Sequence, residues 1–484
     1  MSQNSQNYRT INKTQMRLSR RLAGNTSFEY INLFGEFVIQ DEKTPLAPRL
    51  NIQSLKTSFR HGNLPYNLTY ENVMDTTHVK FTANQSGQAL YNQVKQWADD
   101  LTALVFWGYG AEYYVEVRRD EDSGWLRSPV YHMTFTPDEG SWTWQRAAGQ
   151  GWVGVLFEYE RAYYVEAADR VELPLKSTAT SGNYQTGGVS ISNNNNDIVV
   201  NLRGTDILGD LEAPLDLHIT KTDAGQRTAR YWIGKGYRCP GWVAPAYEGE
   251  SASGITSTSA VAGNSNGIFA STTGLAAGSW QTVGYWSLNS ATLALAAGAY
   301  FRLFWRAGGV FSANPDRRFR FLLRIAGTTT IFTSEEVYGD SGIAVILDMG
   351  MVQLPPRLSF VSGMHPIEIV LQSYDDTAPY TQTIDVMYLI PCDEFRVVYS
   401  DAFHQSTNVR LEVNMGRMIE EIFTSWGAGK ISNFYVDGGS QINVKPGANQ
   451  NLFFLQSTSV NTSPSSMQAT VRAYYRPRYL DFSL

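Results

Sequence analysis

Cysteine is nearly absent from this chain: Cys239 and Cys392 are its only two in 484 residues. That excludes a disulfide framework, and free thiols are expected. Long apolar runs are missing as well. No stretch approaches the length needed to cross a bilayer as a helix, and Met1–Asn7 lacks the apolar centre of a signal peptide. The expectation is a soluble protein folded in a cytoplasm, with no membrane span. Nucleotide-binding loops are absent: there is no P-loop, no dinucleotide glycine fingerprint and no EF-hand loop. Six histidines, His61, His78, His132, His218, His365 and His404, are too far apart to match metal-ligand spacing. No metal, cofactor or catalytic residue is therefore expected.

Charge of one sign is scarce too. Lysine and arginine number 39 against 45 acids, a net charge of −6. No basic surface of the kind that grips nucleic acid follows from that balance, so sequence-specific nucleic-acid binding is not expected. Acids are absent from the N-terminus, where Arg9, Lys13, Arg17, Arg20 and Arg21 precede the first acid, Glu29. Residues 1–27 read as a basic arm, either solvated or ordered against an acidic neighbouring subunit.

Aromatic residues are what the chain has in quantity: 27 Tyr, 23 Phe and 12 Trp, with 41 Gly. Aromatics suit half-buried sheet surfaces and subunit contacts, and glycine suits turns. Together they predict a mainly β protein with minor α content. The length predicts two to three domains.

One helix stands out in the N-terminal half. Leu90, Val94, Trp97, Leu101 and Leu104 recur at helical spacing, with Ser86 as N-cap. Around it lie strand patterns. Tyr113, Val115 and Val117 alternate with Tyr114 and Glu116; Val153, Val155, Phe157 and Tyr159 alternate with smaller or polar residues. Residues 28–168 therefore read as an α+β module. Residues 169–400 contain many short strands, as in a β-sandwich or jelly roll, with Ser251–Ala277 as surface loop. Residues 401–484 read as a C-terminal α+β module. Its helix is predicted from Met415, Ile419, Ile422 and Trp426, and Asp437-Gly438-Gly439 is a hairpin turn. Phe157-Glu-Tyr-Glu-Arg-Ala-Tyr-Tyr164 and Val471-Arg-Ala-Tyr-Tyr-Arg-Pro-Arg-Tyr479 close the two framework modules with a similar run.

Candidate chemistry is thin. Gly263-Asn-Ser-Asn-Gly267 matches a nucleophile elbow in letters, but the strand and helix that such an elbow needs are not predicted beside it. Glu158 with Glu160, Glu335 with Glu336, and Asp375 with Asp376 are neighbouring acids, and a glycosidase needs its two carboxyls to face one another. Trp232, Trp242, Tyr247, Trp280, Trp286 and Trp305 lie in or near predicted loops and strand ends. Core filling is the favoured role for these rings. Trp242, Tyr247 and Trp280 are the candidates for carbohydrate or partner contact, because sugar C–H faces stack on exposed rings.

The run Gly151-Trp-Val-Gly-Val-Leu-Phe-Glu-Tyr-Glu-Arg-Ala-Tyr-Tyr164 resembles the strand that ends the N-terminal domain of distal tail proteins of tailed bacteriophages. Leu211-Glu-Ala-Pro-Leu-Asp-Leu-His-Ile219 resembles the opening of the galectin-like sandwich that follows in that family, and Ile384-Asp-Val-Met-Tyr-Leu-Ile-Pro-Cys-Asp393 resembles its last strand. Val444-Lys-Pro-Gly-Ala-Asn-Gln-Asn-Leu-Phe-Phe-Leu455 resembles a late segment of phage tail modules. The resemblance implies a virion structural protein rather than an enzyme. It implies a homo-oligomeric ring, six-fold as in the family, that links the tail tube to tail-tip or hub proteins at the baseplate. The sandwich would project outward toward a receptor-binding protein or host glycan. This chain is longer than a minimal member, which leaves another tail-tube or baseplate component open. Two other classes stay open: a lectin-like adhesion module without a ring, and a carbohydrate-active enzyme.

Overall fold

The computed structural model describes residues 15–22, 27–35, 38–40, 50–56, 63–107, 111–118, 123–137, 151–178, 182–194, 196–222, 228–260, 265–288, 290–307, 316–325, 329–339, 346–355, 367–377, 379–399, 410–414, 422–426, 429–431, 436–458 and 468–480. The fold is mainly β, with several antiparallel sheets and two helices among these residues. The chain divides into two compact units. One comprises residues 1–171, 208–211 and 476–484; the other comprises 172–207 and 212–475.

The first unit is built on a sheet of nine described strands. Its main path runs Glu29–Asn32, Gln15–Arg21, Glu112–Arg118, Leu126–Pro137, Trp152–Arg161, Val73–Thr82 and Val38–Gln40. Trp152–Arg161 alternates as its sequence predicts: Val153, Val155, Phe157 and Tyr159 point into the core. The helix Gln85–Trp107 sets Val94, Trp97 and Leu101 into that same core, with Phe81, Met133 and Val155. Each such side chain contributes about 1.5–3 kcal/mol by leaving water. Asn84, not Ser86, caps the helix. Its side-chain oxygen accepts the Gly87 backbone N–H at 2.8 Å, satisfying an otherwise orphaned donor. Gly87 must be glycine there, since a Cβ would lie 2.1 Å from the Thr82 carbonyl oxygen.

Residues 15–21 are not an arm. They form an inner strand, paired with Glu29–Asn32 on one side and Glu112–Arg118 on the other. The cations seen as a basic run are neutralised within the chain. Arg17 donates to Glu116 at 2.5 Å, and its guanidinium lies 4.1 Å from the rings of both Tyr30 and Trp125. Arg20 pairs with Glu29 at 2.7 Å and Asp100 at 3.0 Å, and Arg21 pairs with Glu112. The strand becomes legible once Met16 and Leu18 are seen to be buried between these arginines. Arg9 and Lys13 lie outside the described residues.

In the second unit the strands after residue 400 pair with strands before it. Ala213–Lys221 lies between Arg410–Asn414 and Gln468–Tyr475, and Thr228–Lys235 lies between Glu394–Tyr399 and Gln450–Thr458. The described strands Arg410–Asn414, Gln450–Thr458 and Gln468–Tyr475 thus extend sheets that contain Ala213–Lys221 and Thr228–Lys235. Ile422–Trp426 is a strand, which overturns the helix expected there; the start of that pattern, at Met415 and Ile419, lies outside the described residues. The similar Arg-Ala-Tyr-Tyr runs also differ in structure. Arg161 ends a strand, whereas Arg472 to Tyr475 lie within one.

Two sheets of this unit share one core. The first is ordered Ala246–Glu248, Val386–Pro391, Tyr300–Arg306 and Ile346–Gln353. The second is ordered Gln281–Leu288, Ile367–Tyr374, Arg318–Ile325 and Thr329–Thr333, with Val337–Tyr338 beside Arg318–Ile325. Trp286, Phe301, Trp305, Phe319 and Phe321 fill the core with Trp232 and Trp242. Ser251–Ala277, expected as loop, contains the strands Ser257–Ala260 and Ile268–Leu275, which pair with each other and, through the latter, with Tyr380–Ile384.

Candidate functional site

The three aromatics singled out from sequence have three different fates. Trp242 is 3% exposed and sits in the core. Its indole N–H donates to the Leu389 carbonyl at 3.2 Å, and its ring packs against Phe301 at 5.0 Å. It presents no outward face for a sugar. Tyr247 is half-buried against the same core, and burial pushes its hydroxyl above the ordinary tyrosine value. Trp280 is half-buried too, and it stands beside other polar and aromatic side chains of an outward sheet face.

That surface is the outer face of the Gln281–Leu288 sheet. Along Arg318–Ile325, Phe319, Phe321 and Leu323 point into the core while Arg318, Arg320 and Arg324 point out. The Arg320 guanidinium lies 4.1 Å from the Trp280 ring, and Arg318 lies 4.1 Å from the Tyr374 ring. The two rings are 5.6 Å apart. Tyr338, 63% exposed, is the register partner of Arg318 on the neighbouring strand. Arg318 pairs with Glu336 at 3.0 Å, and Arg324 with Glu368 at 2.5 Å. Arg320 instead donates to the neutral Gln372 side chain at 2.9 Å. Burial lowers its pKa, with Glu336 only partly offsetting that. The sequence signal for this face was the alternation Arg318-Phe-Arg-Phe321, which marks a half-exposed strand with cations outward.

The letters of the nucleophile elbow do not make one. Ser265 is fully buried. Its N–H donates to Asp385 at 2.9 Å and its hydroxyl donates to Glu248 at 2.7 Å. A strand, Ile268–Leu275, follows it instead of a helix. Glu248 is pushed up to about 7 by burial and the nearby Glu250, against the opposing pull of its Ser265 hydrogen bond and of Arg306. Arg306 in turn pairs with Asp385 in the interior. Among the adjacent acids, Asp375 is buried and bound by Arg317 at 2.7 Å. Burial alone would raise its pKa; the Thr377 and Arg317 hydrogen bonds outweigh that and lower it. Asp375 is thus a structural anion.

Among the described residues, no group of three or more His, Cys, Asp or Glu side chains could hold a metal ion. No described helix is long and apolar enough to cross a membrane. The cysteines Cys239 and Cys392 are free thiols, both raised to about 12, chiefly by burial.

No family model matches the sequence and no curated protein matches it. Solved structures from phage baseplates are similar at a distance. A chain of the phage P2 baseplate in its activated conformation with Ca matches with a TM-score of 0.35 at 6% identity, covering 96% of this chain and 98% of that one. A chain of the phage p2 baseplate in its activated conformation with Sr matches at 0.29 and 9% identity, covering 46% and 73%. The SPP1 Dit (gp 19.1) protein, described as a hub adsorption apparatus of phages infecting Gram-positive hosts, matches at 0.23 and 8% identity, covering 77% and 99%. The β-rich fold thus bears a remote likeness to phage baseplate and Dit proteins.

Proposed function

We infer that this chain is a structural subunit of a bacteriophage tail, a distal-tail-like protein that forms a homo-oligomeric ring between tail tube and tail tip. The observation that carries the reading is the edge of the nine-stranded sheet. Among the described residues, Glu29–Asn32 has a strand partner on one side only, and Tyr30 on it is 50% exposed. An open edge is either protected or used for pairing. Head-to-tail pairing around an axis closes into a ring, and the family resemblance of Gly151 to Tyr164 makes six the expected number. A net charge of −6 suits a conduit to which DNA should not stick. Catalysis has no place in this reading: Ser265 is buried and Asp375 is tied to Arg317. Negative-stain imaging of the purified protein tests it. Closed rings of uniform size are expected; a featureless population of single subunits with polysaccharide-cleaving activity would point to the enzyme class instead.

A second reading concerns the outer face carrying Trp280. Its partial exposure beside Arg320 favours contact with a glycan, whether or not the subunit sits in a ring.

A further inference from the structure

The outer sheet face holds a cation that no carboxylate among the described residues pairs with at close range. Arg318 and Arg324 each have a carboxylate within hydrogen-bond distance. Arg320, between them on the same face, is held by Gln372 and by the Trp280 ring. Stacking fixes the plane of a guanidinium; with Nε–H donated to Gln372, the two terminal Nη groups are the edge that can make a two-point contact with a planar anion. Two rings lie against these cations, Trp280 on Arg320 and Tyr374 on Arg318, and Tyr338 is the register partner of Arg318 on the next strand. Gln372 and the exposed Thr282 are register partners on the adjoining strands, and they supply neutral hydrogen-bonding groups beside the cation.

The charge pattern selects among anions. Glu336, exposed, lies on Arg318, and Glu368 lies on Arg324. A densely charged polymer, with a phosphate at every unit, would meet those carboxylates and be repelled. A sugar chain with widely spaced carboxylates would not. Its charged ring fits at Arg320, its neutral rings meet the aromatics, and its hydroxyls meet Gln372 and Thr282.

We propose that the face formed by Trp280, Arg318, Arg320, Gln372 and Tyr374 binds an acidic polysaccharide of the uronate class, with the sugar carboxylate on the Arg320 guanidinium. The proposal rests on the reading of Trp280 as a glycan contact, and it does not need the ring.

Titration calorimetry of the full chain tests it with three probes: a hyaluronan tetrasaccharide, neutral chitotetraose, and linear polyphosphate. The uronate is expected to bind with a Kd of about 1 mM or tighter. Arg320→Gln, with an unchanged melting temperature, is expected to weaken it by roughly tenfold or more. Arg320→Lys keeps the charge without the two-point geometry and should fall between the two. Chitotetraose binding as tight as the uronate, lost in Trp280→Ala but unchanged in Arg320→Gln, would overturn the uronate class while keeping the glycan reading. Tighter binding of polyphosphate would overturn the charge-spacing argument. Absence of saturable binding by either saccharide would overturn both the proposal and the glycan reading beneath it.

Discussion

Arg478, six residues from the end of the chain, holds its guanidinium carbon 3.9 Å from the centre of the Tyr164 ring and donates to that residue's hydroxyl at 3.1 Å. The contact ties the last described strand, Arg478–Tyr479, to Val165–Ala167, its antiparallel partner in the first unit. Beneath it, Glu166 accepts from Arg127 at 2.8 Å and faces Arg478 at 3.5 Å. Arg478→Ala should therefore lower the stability of this unit by about 1–2 kcal/mol. In a double-mutant cycle with Tyr164→Leu, urea unfolding should give a coupling of about 0.5–2 kcal/mol. Strict additivity would mean that the stack contributes nothing.

Arg476 makes a contrasting case in the same cluster. Burial first, and then repulsion from Arg127, lower its pKa to about 10. A desolvated cation among like charges is a poor stabiliser. Arg476→Met should leave the urea midpoint unchanged or raise it, despite the lost hydrogen bond to the Ala167 carbonyl. A fall of more than about 2 kcal/mol would show that the cation is better compensated than its neighbours suggest.

The strand Gln15–Arg21 separates two views of the N-terminus. If it were a detachable arm, a chain lacking residues 1–21 would fold and lose only assembly. As an inner strand carrying Met16 and Leu18 into the core, its removal should abolish the folded first unit, seen as lost near-ultraviolet dichroism and protease resistance. A stable truncated chain would restore the arm.

Trp242 and Trp280 should respond in opposite ways. Trp242→Ala empties a core position and should cost about 3–5 kcal/mol, read as a large fall in melting temperature. Trp280→Ala removes a partly exposed ring and should cost about 1 kcal/mol or less. A glycan-binding defect in Trp242→Ala would report unfolding rather than a lost contact.

Glu248 predicts a pH effect. Its pKa rises from the ordinary 4.5 to about 7, mainly through burial. A carboxyl raised on folding favours the folded state most below pH 4.5, and that advantage is lost as pH climbs through about 7. The loss is on the order of 1–3 kcal/mol. Urea midpoints measured between these limits should decline with pH, and Glu248→Gln should flatten the decline. An unchanged slope in that variant would place the titrating group elsewhere.

Periodicity made much of this fold readable in advance. The alternation of Val153, Val155, Phe157 and Tyr159, and the helical recurrence of Val94, Trp97 and Leu101, reflect burial of one face, and both appear as expected. What stayed hidden depends on pairing across distance. Arg17 and Arg20 look like a solvated run until Glu116, Asp100 and Glu29 are brought beside them. Ile422 to Trp426 also fits a helical period, yet its neighbours Arg410–Asn414 and Gly429–Ile431 make it a strand, because short apolar spacing does not distinguish the two. At the candidate site, Trp280 was legible as an aromatic near a strand end. Arg320 was not, because its pairing with neutral Gln372, and with no carboxylate among the described residues, depends on adjacent strands. Trp242 takes the core role favoured for these rings, packed on Phe301, and it is its alternative as an outward contact that burial removes.

In the proposed ring, copies of this chain complete one another through open sheet edges and exposed rings. Sedimentation velocity over a protein concentration series reaching about 50 µM tests it most directly. The account predicts a discrete closed oligomer that grows at the expense of smaller species as concentration rises. A single monomeric boundary at every concentration, with the Glu29–Asn32 amides exchanging at unchanged rates throughout the series, would contradict it.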